Sequence, residues 1–191
     1  DWSSDVCSSD LLSNPLRGRE DDLAYLQANL TGHVLQIVAP GGFGKSRLTA
    51  EVAQSYPHGA IWHRCSPTSQ DADLLRVLRA HLRLPDNADL PTLLTGLAEA
   101  RPLVVIDNAE DVTADKRGGY VTLLSQLVGR GVPVILTARE VWSAFKPRRE
   151  YAPKPLDVDV ATQLALDFAR SEGVDLTPAQ AADLAKHGRQ E

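Results

Sequence analysis

The run Ala39-Pro40-Gly41-Gly42-Phe43-Gly44-Lys45-Ser46 constrains this chain more than any other feature. It joins a short strand-like stretch, His33 to Ala39 (HVLQIVA), to a segment with helical spacing, Lys45 to Tyr56. Gly41, Gly42 and Gly44 permit positive φ, so successive N–H groups can point inward around an anion. The helix behind them adds the positive end of its dipole. Lys45 is spaced to reach the distal phosphates of a nucleotide, and Ser46 to offer its hydroxyl to Mg²⁺. The pattern matches G-x-x-x-x-G-K-[ST] except at the first position, where Ala39 stands for glycine. The alternative is a Gly-rich turn carrying a surface lysine.

The rest of the chain alternates strand and helix. Helical spacing covers Arg19 to Leu30, Asp71 to Leu84, Leu90 to Ala100, Tyr120 to Val128, Val160 to Ser171 and Pro178 to Lys186. Strands are expected at Gly59 to Cys65, Leu103 to Ile106 and Val132 to Leu136. A fifth at Tyr151 to Leu156 is demoted to an edge by Pro153 and Pro155. Thr177-Pro178 suits an N-cap followed by the first helical residue. This order predicts an α/β fold of three layers, with a mainly parallel five-stranded sheet.

Two strand ends carry chemistry. Leu103-Val104-Val105-Ile106-Asp107 delivers an acid to the carboxyl edge of the sheet, where ligands bind. Asp107 there would hold Mg²⁺ directly or through water, or else form a turn. Asn108, which follows, cannot accept a proton. Glu110 and Asp111 are the nearby candidates for polarising an attacking water, and slow or absent hydrolysis is expected. Leu136-Thr137-Ala138-Arg139 ends the fourth strand, so Thr137 and Arg139 are candidates for contacting the γ-phosphate.

Other features exclude more than they assign. No apolar run reaches the ~18 residues that a membrane helix needs. The net charge of −5 disfavours a surface that binds nucleic acid throughout. Residues 1–11 (DWSSDVCSSDL) have no period and resemble a translated sequencing adapter, so they are set aside from the fold. Without them the charge moves toward neutrality and Cys65 is the one remaining cysteine. With no methionine in the chain, a fragment of a longer protein is expected. His58, His63 and Cys65 straddle one strand and read as ordinary strand residues rather than a metal site. Lys146-Pro147-Arg148-Arg149 reads as a solvated basic loop.

Together these motifs resemble the STAND class of signalling P-loop NTPases, near the NB-ARC and AAA families. Leu16-Arg17-Gly18-Arg19-Glu20 is similar to the hhGRE element of that class, Pro40 to Ser46 to its GGxGK[ST] loop, LVVID to its Walker B strand and LTAR to its sensor strand. Lys154-Pro155-Leu156, followed by a helix, is similar to the next segment. The resemblance implies that the sensor strand lies between the loop strand and the Walker B strand. It implies ATP or ADP with Mg²⁺ as ligands, and Arg17, Gly18 and Arg19 near the adenine or ribose. Pro40, Gly41, Gly42, Phe43, Gly44, Lys45, Ser46, Arg47 and Thr137 would line the nucleotide. Lys45, Asp107, Glu110 and Arg139 would serve any hydrolysis, and Ser46 and Asp107 the metal.

The expected organisation is a non-native leader at 1–13, a nucleotide-binding domain at 14–157 and the start of a C-terminal helical region at 158–191. The role that follows is a cytoplasmic nucleotide switch with slow ATPase activity at most. Its partners would be C-terminal domains of the same protein and, on nucleotide binding, further copies of itself, with no membrane and no direct nucleic-acid contact. An active AAA-type motor, or the NTPase part of a transcriptional regulator, is the alternative.

Overall fold

A computed structural model describes residues 16–187 of the chain. The expected leader and the last four residues of the expected C-terminal region, 188–191, lie outside the described residues. The first helix, α1, is Glu20–Ala28, and its opening turn carries Glu20, Asp21 and Asp22 against the positive end of the dipole. Strand β1 (Val34–Val38) leads through the glycine loop into α2 (Lys45–Ser55). Then come β2 (Ala60–Arg64), α3 (Asp71–His81), α4 (Leu90–Ala100) and β3 (Leu103–Asp107). A 3₁₀ turn at Ala109–Asp111 precedes α5 (Arg117–Val128), β4 (Val134–Ala138) and β5 (Arg148–Tyr151). Two helices follow, α6 (Val158–Ser171) and α7 (Pro178–His187).

Side chains close the helix starts where the sequence offers them. Asp89 accepts the Thr92 N–H at 2.8 Å and so satisfies one of the free donors at the start of α4. Thr177 and Gln180 form a reciprocal box: Gln180 Oε1 accepts the Thr177 N–H at 2.9 Å, and Thr177 Oγ1 accepts the Gln180 N–H at 3.3 Å.

The five strands are parallel, in the order β2-β3-β4-β1-β5. As the resemblance implied, β4 lies between β1 and β3. Alternation along each strand feeds two cores. Val34, Val104, Ile106, Val134 and Leu136 pack with Leu74, Leu93, Leu97 and Leu124 of α3, α4 and α5. On the opposite face, Leu35, Ile37, Leu103, Val105 and Ile135 pack with Leu26 of α1 and Leu48 and Val52 of α2. The chain is therefore three-layered, with the sheet buried between helices. Each large apolar side chain so buried contributes about 1.5–3 kcal/mol.

Two elements begin three residues ahead of their expected starts. The fifth strand is an edge strand, but it lies at Arg148–Tyr151 rather than Tyr151 to Leu156. Pro153 and Pro155 have no N–H for a ladder, and pairing with β1 begins instead at Val34↔Arg148. The basic pair Arg148-Arg149 thus belongs to a strand and not to a loop. Helix α5 starts at Arg117, ahead of Tyr120, and runs through Gly118-Gly119. A Cβ at Gly119 would stand 2.3 Å from Asp71 Oδ2, so close packing on the start of α3 outweighs glycine's poor helix propensity. Among the described residues, no helix is long and apolar enough to cross a membrane.

Candidate functional site

The strand order sets the carboxyl ends of β3, β4 and β1 side by side, the edge at which parallel sheets bind ligands. The glycine loop leaves β1 there. Gly42 and Gly44 take φ of 81° and 76°, and Gly44 caps α2 in a left-handed conformation. Side-chained residues adopt that conformation at a cost. Ala39 does not have positive φ, so the first motif position demands nothing that only glycine supplies. Its N–H instead donates to the Ala138 carbonyl at 3.3 Å, fastening the loop to β4. Lys45 is 7% exposed, and its ammonium donates to the carbonyls of Ala39 at 2.8 Å and Pro40 at 3.0 Å.

Asp107 is 3% exposed at the end of β3. Its Oδ1 accepts two hydroxyls, from Ser46 at 2.7 Å and from Thr137 at 2.7 Å. Thr137 is fully buried and in turn accepts the Asn108 N–H at 3.1 Å. It therefore acts on the site through the carboxylate that it holds. Asn108 has φ 56° and ψ 44°, a left-handed position that asparagine tolerates better than most residues. The chain turns there into the 3₁₀ segment and brings Glu110 back over the edge of the sheet.

Glu110 meets Arg139, the residue after β4, with Nε donating to Oε1 at 3.0 Å. The Glu110 side chain is 16% exposed and that of Arg139 68%. The other carboxylate oxygen, Oε2, is buried without a hydrogen-bond partner. The Arg139 guanidinium also reaches the loop, where Nη2 would lie 3.9 Å from a Cβ on Gly41. Burial lowers the pKa of Lys45 below the ordinary lysine value. The charges of Glu110 and then Asp107 oppose that shift, while Arg139 adds to it. Two cations and two carboxylates thus share one small space.

Beyond the loop, on the side away from Asp107, lies a cavity of about 310 Å³, the lower end of the range for ligand pockets. Gly42, Phe43, Gly44, Arg47 and Leu48 form one wall, and Leu16, Arg17 and Arg19 another. Pro155 and Leu156 continue it, and Ala161 and Leu164 of α6 with Ala185 of α7 close it. Arg17 pairs with Asp167 of α6 at 3.0 Å. Gly18 lies against Val160 of α6. Arg19 is a buried staple: it donates to Asp22 at 2.8 Å, to the Lys154 carbonyl at 2.7 Å and to the Phe43 carbonyl at 3.4 Å. It ties the glycine loop to the segment that enters α6. Arg47 pairs with Glu51 one turn along α2, at 2.6 Å.

The expected site residues therefore fall into two groups on either side of one loop. Sequence reasoning did not identify Ala161, Leu164 and Ala185 as lining residues. Their one signal is the helical spacing of apolar residues, which fits ordinary packing equally well. Nor did it identify Gln36, buried within β1. Its amide brackets the Trp142 backbone, donating to the carbonyl at 3.1 Å and accepting the N–H at 2.8 Å. A glutamine inside HVLQIVA was the available signal. His63 and Cys65 join the core beneath α5, His63 meeting the Tyr120 hydroxyl at 3.1 Å. Burial pushes the Cys65 thiol up to about 12.

No family model matches this chain, and no curated protein matches it. Solved structures do. A STAND protein with a tetratricopeptide repeat sensor from Pyrococcus horikoshii is 21% identical, with a TM-score of 0.62 over 90% of this chain and 28% of its own. A Walker-type ATPase of Pyrococcus abyssi is 15% identical, with a TM-score of 0.66 over 90% of this chain and 63% of its own. AMPPCP-bound DnaA from Aquifex aeolicus is 11% identical, with a TM-score of 0.52 over 90% of this chain and 57% of its own. The chain spans less than two thirds of each. The superposition over 90% of this chain, with its own parallel sheet and glycine loop, gives this chain the fold of a P-loop NTPase.

Proposed function

We propose that the chain binds ATP and ADP with Mg²⁺ and serves as a nucleotide switch. One observation carries this reading: a buried lysine and a carboxylate–hydroxyl pair stand on one side of a glycine loop, and an apolar cavity stands on the other. A nucleotide has that polarity, anionic at one end and apolar at the other. The residues present suit the group. Lys45 already satisfies loop carbonyls, so its charge is held in place for the β- and γ-phosphates. Ser46 and Asp107 are in contact at 2.7 Å, a hydroxyl and one carboxylate. Mg²⁺ takes few protein ligands and keeps waters and phosphate oxygens for the rest. When bound, it supplies positive charge to the phosphates. Arg17, Arg19, Phe43 and Leu48 border the space for the base and ribose, and Arg47 stands at its loop side.

The hydrolytic side of the site supports slow turnover. Asn108 cannot accept a proton, and the Glu110 carboxylate is engaged by Arg139. We expect fewer than about one turnover per second, below the usual enzyme range. Helices α6 and α7, which make up the C-terminal helical region from residue 158, close the cavity, so occupancy would act on that region directly. The reading is tested by denaturing the purified protein and chromatographing the released nucleotide, with calorimetric titration of the stripped protein alongside. Bound ADP or ATP, or micromolar titration, is the expected result. A Lys45→Ala variant that binds ATP as well as the parent would overturn the assignment.

A further inference from the structure

We infer that Glu110 competes with the terminal phosphate of a nucleoside triphosphate for Arg139, and so sets how strongly the site prefers triphosphate to diphosphate. This rests on the nucleotide reading above. Ser46 and Asp107 would hold the cation, and Lys45 would meet the β-phosphate, whichever of the two ligands is bound. Arg139 is different. It comes from the neighbouring strand, lies over Gly41 of the loop and is bound at its Nε by Glu110.

The two partners are unequally free. The Arg139 side chain is 68% exposed and that of Glu110 16%. Arginine therefore changes its direction at little cost, because water surrounds most of it. Glu110 is held by its turn, whose flanking residues Ala109 and Val112 are fully buried. Its Oε2 is already buried without a partner. If Arg139 left for a phosphate, Oε1 would lose its partner as well. Arginine can meet a phosphate with two parallel N–H···O bonds, against the single one it makes with Glu110. The triphosphate thus wins Arg139, at the cost of a stranded carboxylate. A diphosphate leaves the pair intact and incurs no such cost. Glu110 also favours the charged form of Lys45, so it steadies one cation while withholding the other.

The test is a double-mutant cycle read by calorimetry, with Mg²⁺–ADP and the Mg²⁺ complex of the non-hydrolysable β,γ-methylene analogue of ATP as probes. E110Q is expected to raise the triphosphate-to-diphosphate affinity ratio about tenfold, the scale of one charge-assisted hydrogen bond. R139A is expected to lower that ratio, and E110Q in the R139A background to leave it unchanged. Thermal melts check that each variant folds. Should E110Q fail to fold, Glu110→Asp keeps the charge but falls one methylene short of Arg139, and the same rise is expected, smaller in size. An unchanged or lowered ratio in E110Q overturns the inference. So does a rise that persists without Arg139, which would be the plain effect of removing a negative charge. A parent chain that binds neither probe, or a Lys45→Ala variant that binds both, fails the nucleotide reading itself and the inference with it.

Discussion

The two sides of the glycine loop are built on opposite terms. On the phosphate side, charge is concentrated at one edge of the sheet: Lys45 opens α2 behind the loop from β1, Asp107 ends β3 with Glu110 just after it, and Thr137 lies on β4 with Arg139 just after it. Ser46, Thr137 and Asp107 are fixed by bonds of 2.7 Å. On the far side, the cavity is mostly apolar and its walls come from residues 16–19, 42–48, 155–164 and 185. Those segments are brought together by Arg19, whose three partners lie on α1, the loop and the entry to α6. The rigid side can tell one charge state from another. The assembled side is held by Arg19, the Arg17–Asp167 pair and apolar contact.

The sharpest break in the comparison is Lys45→Ala. A hydrogen bond from a charged donor contributes up to about 3 kcal/mol, so nucleotide affinity should fall by about 100-fold. ADP and ATP should suffer alike in calorimetric titration, and the melting temperature should change little. The mirror experiment is Ala161→Phe, which fills the cavity. Affinity for ADP and ATP should fall by about thirtyfold, while binding of inorganic triphosphate stays as it was. Filling an apolar void also tends to stabilise, by about 0.5–2 kcal/mol, so the melting temperature should hold or rise. Loss of inorganic triphosphate binding in this variant would show that the two sides are not separable. A smaller effect is expected from Asp107→Asn. The amide can still accept from Ser46 and Thr137 but carries no charge for Mg²⁺. Nucleotide binding should lose its dependence on Mg²⁺ and weaken about tenfold, as measured by titration with and without chelator.

How much of each side was legible in the sequence follows from the same contrast. The phosphate side is local: a loop between a strand and a helix, an acid after LVVI, an arginine after LTA. Each feature is contiguous, and period and turn chemistry place it. Element order fixed the three-layer sheet for the same reason. The cavity is non-local. Ala161, Leu164 and Ala185 carry no motif, and only the packing of α6 and α7 makes them a wall. Arg19 was expected beside the nucleotide, and it does border the cavity. Its work as a staple depends on the carbonyls of Phe43 and Lys154, which no pattern marks. The shifts of β5 and α5 have the same origin. A ladder partner and a close contact at Gly119 decided them, against the local signals of two prolines and two glycines.

The smallest expected effect separates both sides of the site from the scaffold beneath. His63 lies on β2, three strands away from β1 in the sheet. It is 7% exposed, and burial lowers its pKa below the ordinary 6.5, with Asp73 opposing. The Tyr120 hydroxyl gives its one hydrogen to the Gln70 carbonyl at 2.9 Å, so His63 must donate to it from Nε2, as the neutral ring can. In the unfolded chain the imidazole takes up a proton near pH 6.5. The folded chain resists until the pH is lower. Between those points the unfolded state binds more protons, so stability falls on acidification and is fully present above pH 6.5. One proton limits the slope to about 1.4 kcal/mol per pH unit. His63→Asn keeps an N–H donor and removes the titration. Its melting temperature should therefore fall less than that of the parent between pH 6.5 and 5.5. Nucleotide affinity should change with pH by the same factor in both proteins, because His63 borders neither side of the loop. If the affinities diverge, the scaffold under α5 is coupled to the site, and the two-sided description must be extended to include it.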